Sequence, residues 1–569
     1  MKKETSLNHT GKTPNFWFCG GLLVILLVSI MARDITRPFY GLHSWADAHG
    51  PWLARVQLKF GSAYTKGLYT WAVGNPPTQN PSRYLDHPQL PGLINAAAMA
   101  VLGINNWALR ATNIVATIVA LLLFLKILRG LLDDKTALLA ALLFCLFPLI
   151  GYFGVNMWLY PLGFLAIFCY LAIIKVIPLQ MERPKLCRIG LALSLFFALQ
   201  VNWEGFFFAL AIGVHYLCRC IHRRTFPQKS LLTILIVAPL LSLALDFTIM
   251  AAGYKWDFTK IMELYKWRSA KGEMPEFQWG LWFAKLWEFA VTNFTSPILL
   301  TAIAYLTFGQ LLIFTEPKPL KQHEQLSRCA GAQRRLRQFP QFWLFAIIPL
   351  SQLLILRGAL WRHQTWERPL APLIAIAAAL GIMLLADILK KIHHKLAYAG
   401  VVTLIGVFFI YCVIGTNYYY SIRWQSPRKI EMLEMLNRNI PPDKMLLSTM
   451  LPTEGFVVEQ HSSKGSHYRP EVAWHLDREI RQALVIKDGK AMVDETIKDI
   501  EQKAATGKYP YYLIPLAPGL EPLISRLQKL YKFQYVQGDE GESTKDGKFL
   551  RAGMPNYMIF DLNSKISSS

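Results

Sequence analysis

Apolar runs of about 18 residues or more recur along this 569-residue chain, and a run of that length is what a crossing of a ~30 Å hydrocarbon core requires. Inside such a core every backbone N–H and C=O must be satisfied by the protein itself. Runs of this length can do that only as helices. With 53% hydrophobic residues throughout the chain, the reading is a polytopic α-helical membrane protein, and a soluble domain of this size is excluded. The first run, WFCGGLLVILLVSIMA, follows MKKETSLNHTGKTPNF. It is too long for the apolar core of a signal peptide and no small-residue cleavage site follows, so it reads as a retained first helix.

The net charge of +23 would suit a nucleic-acid partner, but the excess lies in short loops between apolar runs. That is the distribution which positive-inside sorting produces, so no nucleic acid is expected. The same rule orients the chain. Lys2, Lys3 and Lys12, the pair Lys126 and Arg129, the loops around Arg183–Arg188, Arg219–Lys229 and Lys318–Arg337, and Lys390–Lys395 all fall on one side with about eleven crossings. The N-terminus is then cytoplasmic. The crossings run from Asn15–Ala32 to Ala397–Thr416, and the segment PGLINAAAMAVLGINN is too short to cross and lies in the interface or re-enters. Residues 254–292 read as an outer loop, and Asp246 is the clearest charge within a span. The division is a membrane domain over 1–416, with 33–92 as its first outer loop, and an extracytoplasmic domain over 417–569. In that last part SPRKIEMLEMLNRN reads as helix, KMLLSTM as strand, Lys490–Lys503 as helix, YPYYLIPL as strand, Glu521–Tyr531 as helix and PNYMIFDL as strand. Such alternation argues a small α/β domain.

The cysteines, Cys19, Cys145, Cys169, Cys187, Cys218, Cys220, Cys329 and Cys412, fall in apolar runs or basic loops, so no disulfide framework is expected. Cys218 and Cys220 with His215 and His222 lie at a helix end with the wrong spacing for zinc.

Chemistry concentrates in four outer places. HSWADAHGPWLAR, His43–Arg55, sets Asp47 among histidines and tryptophans. Gly50-Pro51 suits a helix start, after which Trp52, Val56 and Phe60 share one face, with Arg55 and Lys59 on another side. A competing start at Ser44 would put Pro51 inside the helix. Asp47 is then a cap, an ion-pair partner of Arg55, or, with His43 and His49, a weakly patterned metal ligand. SRYLDHPQLPGL holds Tyr84, Asp86 and His87 before the short segment. LRGALWRHQTWERPLAPL crowds Arg357, Arg362, His363 and Arg368 with Trp361 and Trp366 into one outer loop. Positive charge there runs against the sorting rule, and Arg forks bind phosphate; anchoring to lipid headgroups is the competing account. Asn202-Trp203-Glu204 stands at another outer turn, either functional or solvated. Asn8-His-Thr and Asn293-Phe-Thr match the glycosylation pattern, on the inner side and at a membrane edge respectively.

In order along the chain, Asp47, His87-Pro88-Gln89-Leu90, Val101-Leu102-Gly103 and Arg110, followed late by RHQTWERPLAPLIAI, resemble the GT-C class of membrane glycosyltransferases, on the branch of protein O-mannosyltransferases and the aminoarabinose transferase. The resemblance is best over Leu42–Ile177. The family's Asp-Glu pair reads Asp47-Ala48 here, and its second Pro reads Gln89. The resemblance implies a GT-C fold and transfer of a hexosyl or pentosyl residue from a polyprenyl-phosphate donor to a lipid, glycan or protein acceptor on the outer face. It implies Asp47 as general base, with Tyr84, Asp86, His87, Arg357, Arg362, His363, Trp203 and Glu204 on the substrates. No cofactor is expected, with a divalent metal left open. The default location is a bacterial inner membrane. A lipid-linked saccharide flippase or transporter would carry charges within its spans and paired repeats, whereas here charges gather in outer loops. A polysaccharide ligase or polymerase using similar donors is the rival among enzymes, and an anchored binding protein would not need so many spans.

Overall fold

The computed structural model describes residues 15–77, 81–85, 87–155, 158–177, 184–254, 259–269, 277–309, 339–449, 457–459, 466–487, 490–543 and 549–566. They divide into two compact units. The first comprises 1–35, 110–248 and 261–419, and the second 36–109, 249–260 and 420–569. The second unit therefore joins 36–109 to the C-terminal segment.

The first unit is helical. Among the described residues six helices are long and apolar enough to cross a membrane: Asn106–Leu131, Pro184–Val201, Gly205–Arg223, Lys229–Gly253, Leu370–Ile392 and His394–Ser421. A bent pair, Trp279–Phe294 and Ser296–Phe308, makes a seventh if counted as one span. Shorter apolar helices include Phe16–Met31, Leu159–Ile173 and Phe342–Ile355. Each apolar run read from the sequence as a crossing contains helix. The run Ala137–Phe153 is broken, because Pro148 opens a second helix after Phe147. Gly163 lets its helix approach the one at 205–223: a Cβ there would stand 2.3 Å from the Phe208 ring.

One expectation fails within 254–292. Its last part is not loop but the helix Trp279–Phe294. Trp279, Trp282, Phe283, Leu286, Trp287, Ala290 and Phe294 recur at helical spacing, and Trp282, Ala290 and Phe294 are buried while Trp279, Phe283 and Trp287 are exposed. The helix stops at Thr295, at φ 66°, and the chain turns by 110° into the next.

In the second unit the C-terminal segment builds a five-stranded mixed sheet from β1 (Leu446–Ser448), β2 (Ile480–Gln482), β3 (Tyr511–Pro515), β4 (Tyr531–Val536) and β5 (Tyr557–Lys565), in the order β4-β5-β3-β1-β2. The β4/β5 and β5/β3 pairs are antiparallel, and the β3/β1 and β1/β2 pairs parallel. Alternate residues serve opposite faces. Leu446, Leu513 and Ile559 pack with Ile430, Leu433 and Leu436 of the helix Pro427–Asn439. Leu447, Tyr512, Ile514 and Phe560 pack with Ile497 and Ile500 and with Leu523 and Leu527 of the helices Val493–Ala505 and Glu521–Leu530.

The same unit holds the long helix Ser44–Thr65, interrupted only at Gly61 (φ 70°). The start expected at Pro51 is thus corrected to Ser44, with Pro51 inside the helix. Proline fixes a helical φ but gives no hydrogen bond to the carbonyl four residues back, here that of Asp47, and its ring crowds that carbonyl. Leu90–Leu102, at 13 residues, is about 20 Å long and falls short of a hydrocarbon core. Trp52, Val56, Trp71, Tyr84, Met99 and Trp474 share one buried cluster.

Candidate functional site

Asp47 lies in the first turn of the helix Ser44–Thr65, its N–H donating to the His43 carbonyl at 3.0 Å. Its side chain is half-buried. The preceding residue, His43, has left-handed backbone (φ 56°) and is itself buried, its ring 4.4 Å from that of Trp424. On the other side is His49, buried, with Trp45 stacked on it at 4.7 Å and Tyr84 edge-on at 4.7 Å. Trp71 Nε1–H donates to His49 Nε2 at 2.9 Å. That bond makes Nε2 an acceptor and leaves the ring proton on Nδ1. His43, Asp47 and His49 do not come together as a metal-holding group, and no set of three or more His, Cys, Asp or Glu does so among the described residues.

Arg55 is not the partner of Asp47, and it is not on a solvated side. It is buried and donates to the carbonyls of Trp474 (2.8 Å) and Ala473 (2.6 Å), with Asp477 at 3.3 Å. The ion-pair reading of Asp47 with Arg55 is therefore replaced by a link from Arg55 to the short helix Pro470–Leu476.

Tyr84 is buried in the strand Arg83–Tyr84, which pairs with Tyr69–Thr70. His87 follows with its ring 5.9 Å from Tyr84. Gln89, standing where the resembled family has its second Pro, uses both ends of its amide. Nε2 donates to the His87 carbonyl at 2.6 Å and Oε1 accepts the Tyr69 N–H. Tyr69 in turn lies against Gly92, where a Cβ would stand 2.1 Å from the ring. The structure thus brings His49, Tyr84 and His87 into one aromatic-lined neighbourhood of the second unit, with Asp47 two residues before His49 on the same helix. Asp86 lies outside the described residues.

The remaining predicted residues belong to the first unit. Glu204 is buried, 7% exposed, and accepts from Asn202 Nδ2 at 3.2 Å, so the solvated reading of this turn is set aside. Trp203 beside it is half-buried. Arg357 opens the helix Arg357–Arg362 with its guanidinium over Trp279 (5.1 Å) and Phe277 (5.4 Å). His363 is exposed; the side chain of Arg362 lies outside the described ones. Arg368 sits over the Phe153 ring at 5.5 Å.

Two carboxyls went unnoticed as candidates in the sequence. Glu367, next to Arg368, is fully buried. Its Oε2 accepts from Asn293 Nδ2 at 2.8 Å, and Asn293 Oδ1 accepts the Tyr419 hydroxyl at 2.5 Å. Burial holds the Glu367 carboxyl well above the ordinary carboxylate range, with the Asn293 bond offsetting only part of the shift. Its Oε1 has no partner among the described residues. The same network buries Asn293 completely, which closes its reading as a glycosylation site. The other carboxyl is Glu471, in the helix Pro470–Leu476, 1% exposed. Its Oε1 accepts from Ser44 Oγ at 2.8 Å and Gln425 Nε2 at 3.2 Å. A Thr-Trp-Glu-Arg-Pro turn and a Pro-Glu helix start carry no burial signal in one dimension, so neither acid could be told from a solvated one.

No protein-family model matches the sequence, and no curated protein matches it by sequence either. By structure the chain is similar to a crystal structure of ArnT, an aminoarabinose transferase, from Cupriavidus metallidurans bound to undecaprenyl phosphate, with TM-score 0.55, 8% identity, and 98% of this chain and 99% of that chain covered. The apo state of the same protein gives TM-score 0.52 at 10% identity, with 96% and 98% covered. The fold is that of a GT-C glycosyltransferase. This GT-C likeness spans nearly the whole chain, well beyond the Leu42–Ile177 stretch on which the sequence resemblance is best.

Proposed function

We propose that this chain is a membrane glycosyltransferase that moves a sugar from a polyprenyl-phosphate-linked donor to a lipid, glycan or protein acceptor on the outer face, with Asp47 as general base. The observation that carries this reading is Asp47 itself. A half-buried carboxyl in the first turn of a helix, on a stretch that also carries His43, Trp45 and His49, occurs in a chain with the GT-C fold. The similar ArnT was crystallised with undecaprenyl phosphate, which supports a donor of that chemistry.

In the step proposed, an acceptor hydroxyl oxygen bonds to the anomeric carbon while the bond from that carbon to the phosphate oxygen breaks. Asp47 takes the hydroxyl proton, and the polyprenyl phosphate leaves with the electron pair. A positioned base contributes about 10²–10⁴-fold, and developing charge on the phosphate calls for fixed cationic donors. Arg357, Arg362 and His363 have that role in this reading, with Trp203 and Glu204, and with Tyr84, Asp86 and His87, on the donor and acceptor groups. About eleven spans, a cytoplasmic N-terminus, an extracytoplasmic C-terminal domain and a bacterial inner membrane complete it.

The test is transfer from a panel of undecaprenyl-phosphate-linked hexoses and pentoses to membranes lacking the protein, by wild type and Asp47→Asn. Asn keeps the size and removes the base, so turnover should fall by roughly 10²-fold or more while undecaprenyl phosphate binding is little changed. Asparagine also caps helices well. Near-normal transfer by Asp47→Asn would therefore reduce Asp47 to a polar residue of the first turn.

A further inference from the structure

The backbone leading into the Asp47 helix is held residue by residue by the C-terminal segment of the same unit. Phe39 N–H donates to His475 Nε2 at 3.3 Å. The Tyr40 carbonyl accepts the Gln425 N–H at 3.1 Å, and Gly41 bridges to Arg423. His43 lies on Trp424, and Ser44 Oγ donates to Glu471 Oε1. Further along, Arg55 and Lys59 reach the far end of the helix Pro470–Leu476 through the Ala473 and Trp474 carbonyls and Asp477. The partners advance together, Ser44 to Glu471 and then Arg55 and Lys59 to 473–477, so the two helices run in the same direction and are fastened at both ends.

We infer that Glu471 is a positioning residue for Asp47, and that the C-terminal α/β segment acts as a template that fixes the first turn of the Asp47 helix. The inference rests on the reading of Asp47 as the base. Ser44 and Asp47 are three residues apart and so lie on one face of the helix. The N–H of Asp47 is bonded to His43, a buried non-glycine residue in left-handed backbone that a free chain would seldom adopt. Something must therefore impose this start. The Glu471 carboxyl, buried and accepting from Ser44, does so one turn ahead of Asp47. Proline at 51 returns no N–H to the Asp47 carbonyl, which leaves this turn more dependent on side-chain anchors than an ordinary helix start. Glu471 Oε2 makes no hydrogen bond among the described residues, so Oε1 alone carries the link.

The experiment uses the full chain in detergent and reads two quantities, amide hydrogen exchange at 44–50 and sugar turnover with the undecaprenyl-phosphate panel. Glu471→Ala should speed exchange in that stretch by about tenfold or more. It should lower turnover by about tenfold at an unchanged donor KM, since a small misplacement of a reacting group costs rate. Ser44→Ala removes the other end of the same bond and should reproduce both effects. Glu471→Gln keeps an acceptor at Oε1 and should restore near-normal behaviour. In an Asp47→Asn background the Glu471→Ala change should add little further loss, because the two act through one group. Exchange at 44–50 that is unchanged in Glu471→Ala, or a loss that adds in full to that of Asp47→Asn, would overturn the inference. Full turnover by Asp47→Asn alone would instead overturn the base assignment, and the exchange measurement would still decide whether the template exists.

Discussion

Arg55 offers a direct measure of how firmly the helix Pro470–Leu476 is attached to the Asp47 helix. Its side chain is 8% exposed. Burial lowers its pKa and Asp477 offsets part of that, but a guanidinium stays protonated in any protein environment. In Arg55→Met the stem still packs on Trp474, over whose ring the guanidinium lies at 4.8 Å. What disappears are two charge-assisted bonds to backbone carbonyls and one ion pair. The Ala473 carbonyl keeps a bond from the Asp477 N–H at 3.2 Å, and Asp477 keeps Lys59 at 2.9 Å. The Trp474 carbonyl loses Arg55. An orphaned buried acceptor costs about 1–3 kcal/mol, and breaking a buried ion pair about 3–5 kcal/mol. Because Asp477 retains Lys59, no buried charge is left unpaired and the ion-pair cost falls away, so the loss should sit near the upper end of the acceptor range, at about 3 kcal/mol. That is a factor of about 100 in a local opening equilibrium. Amide exchange at 470–477, measured under conditions where closing outruns exchange, should rise by about that factor. Arg55→Lys, with one compact charge in place of a fork, should fall between. A change of less than about threefold in Arg55→Met would refute the accounting.

Two further outcomes follow from buried titratable groups. His475 donates from Nδ1 to Glu434 at 2.9 Å while its Nε2 accepts the Phe39 N–H, so the contact is a hydrogen bond from a neutral imidazole rather than an ion pair. Burial lowers the His475 pKa below its ordinary 6.5, partly offset by Glu434. The unfolded chain then binds more protons, so stability is fully present above about pH 6.5 and is lost as pH falls through the lowered value. Thermal unfolding against pH should show this decline, and His475→Gln should flatten it; an unaltered slope would refute the assignment. Glu367 has the opposite sign. Its raised pKa means that the folded state binds more protons, so its burial weighs against folding increasingly as pH rises above the ordinary 4.5. Glu367→Gln should therefore raise thermal stability at neutral pH and not near pH 4.5, read by melting at the two pH values, and equal shifts at both would count against a neutral buried carboxyl.

Much of this molecule can be read in one dimension wherever the physics is local. Apolar runs became helices because a hydrocarbon core permits nothing else, and the short apolar, aromatic-rich runs YPYYLIPL and PNYMIFDL placed β3 and β5 because a strand buried on both faces reads as such a run. Local rules failed where a tertiary partner outweighed them. Gly50-Pro51 is a sound helix start by propensity, yet the helix begins at Ser44, because Glu471, His475 and Trp424 hold the chain ahead of it and none of them is near in sequence. Arg55 falls on the polar side of the helical pattern, and only the carbonyls 418 and 419 residues away take it inside. Gln89 looked like a loss against the resembled family's proline. In the fold its amide ties Tyr69 to His87, doing by hydrogen bonds what a second proline would do by stiffness. Asp47, the proposed base, stands out in the sequence by its place after the first helix. The residues that orient its turn do not, because Glu471 lies 427 residues downstream of the Ser44 it holds. The chemistry proposed for Asp47 is thus written locally in 43–55, while the geometry of its turn is written in the C-terminal segment.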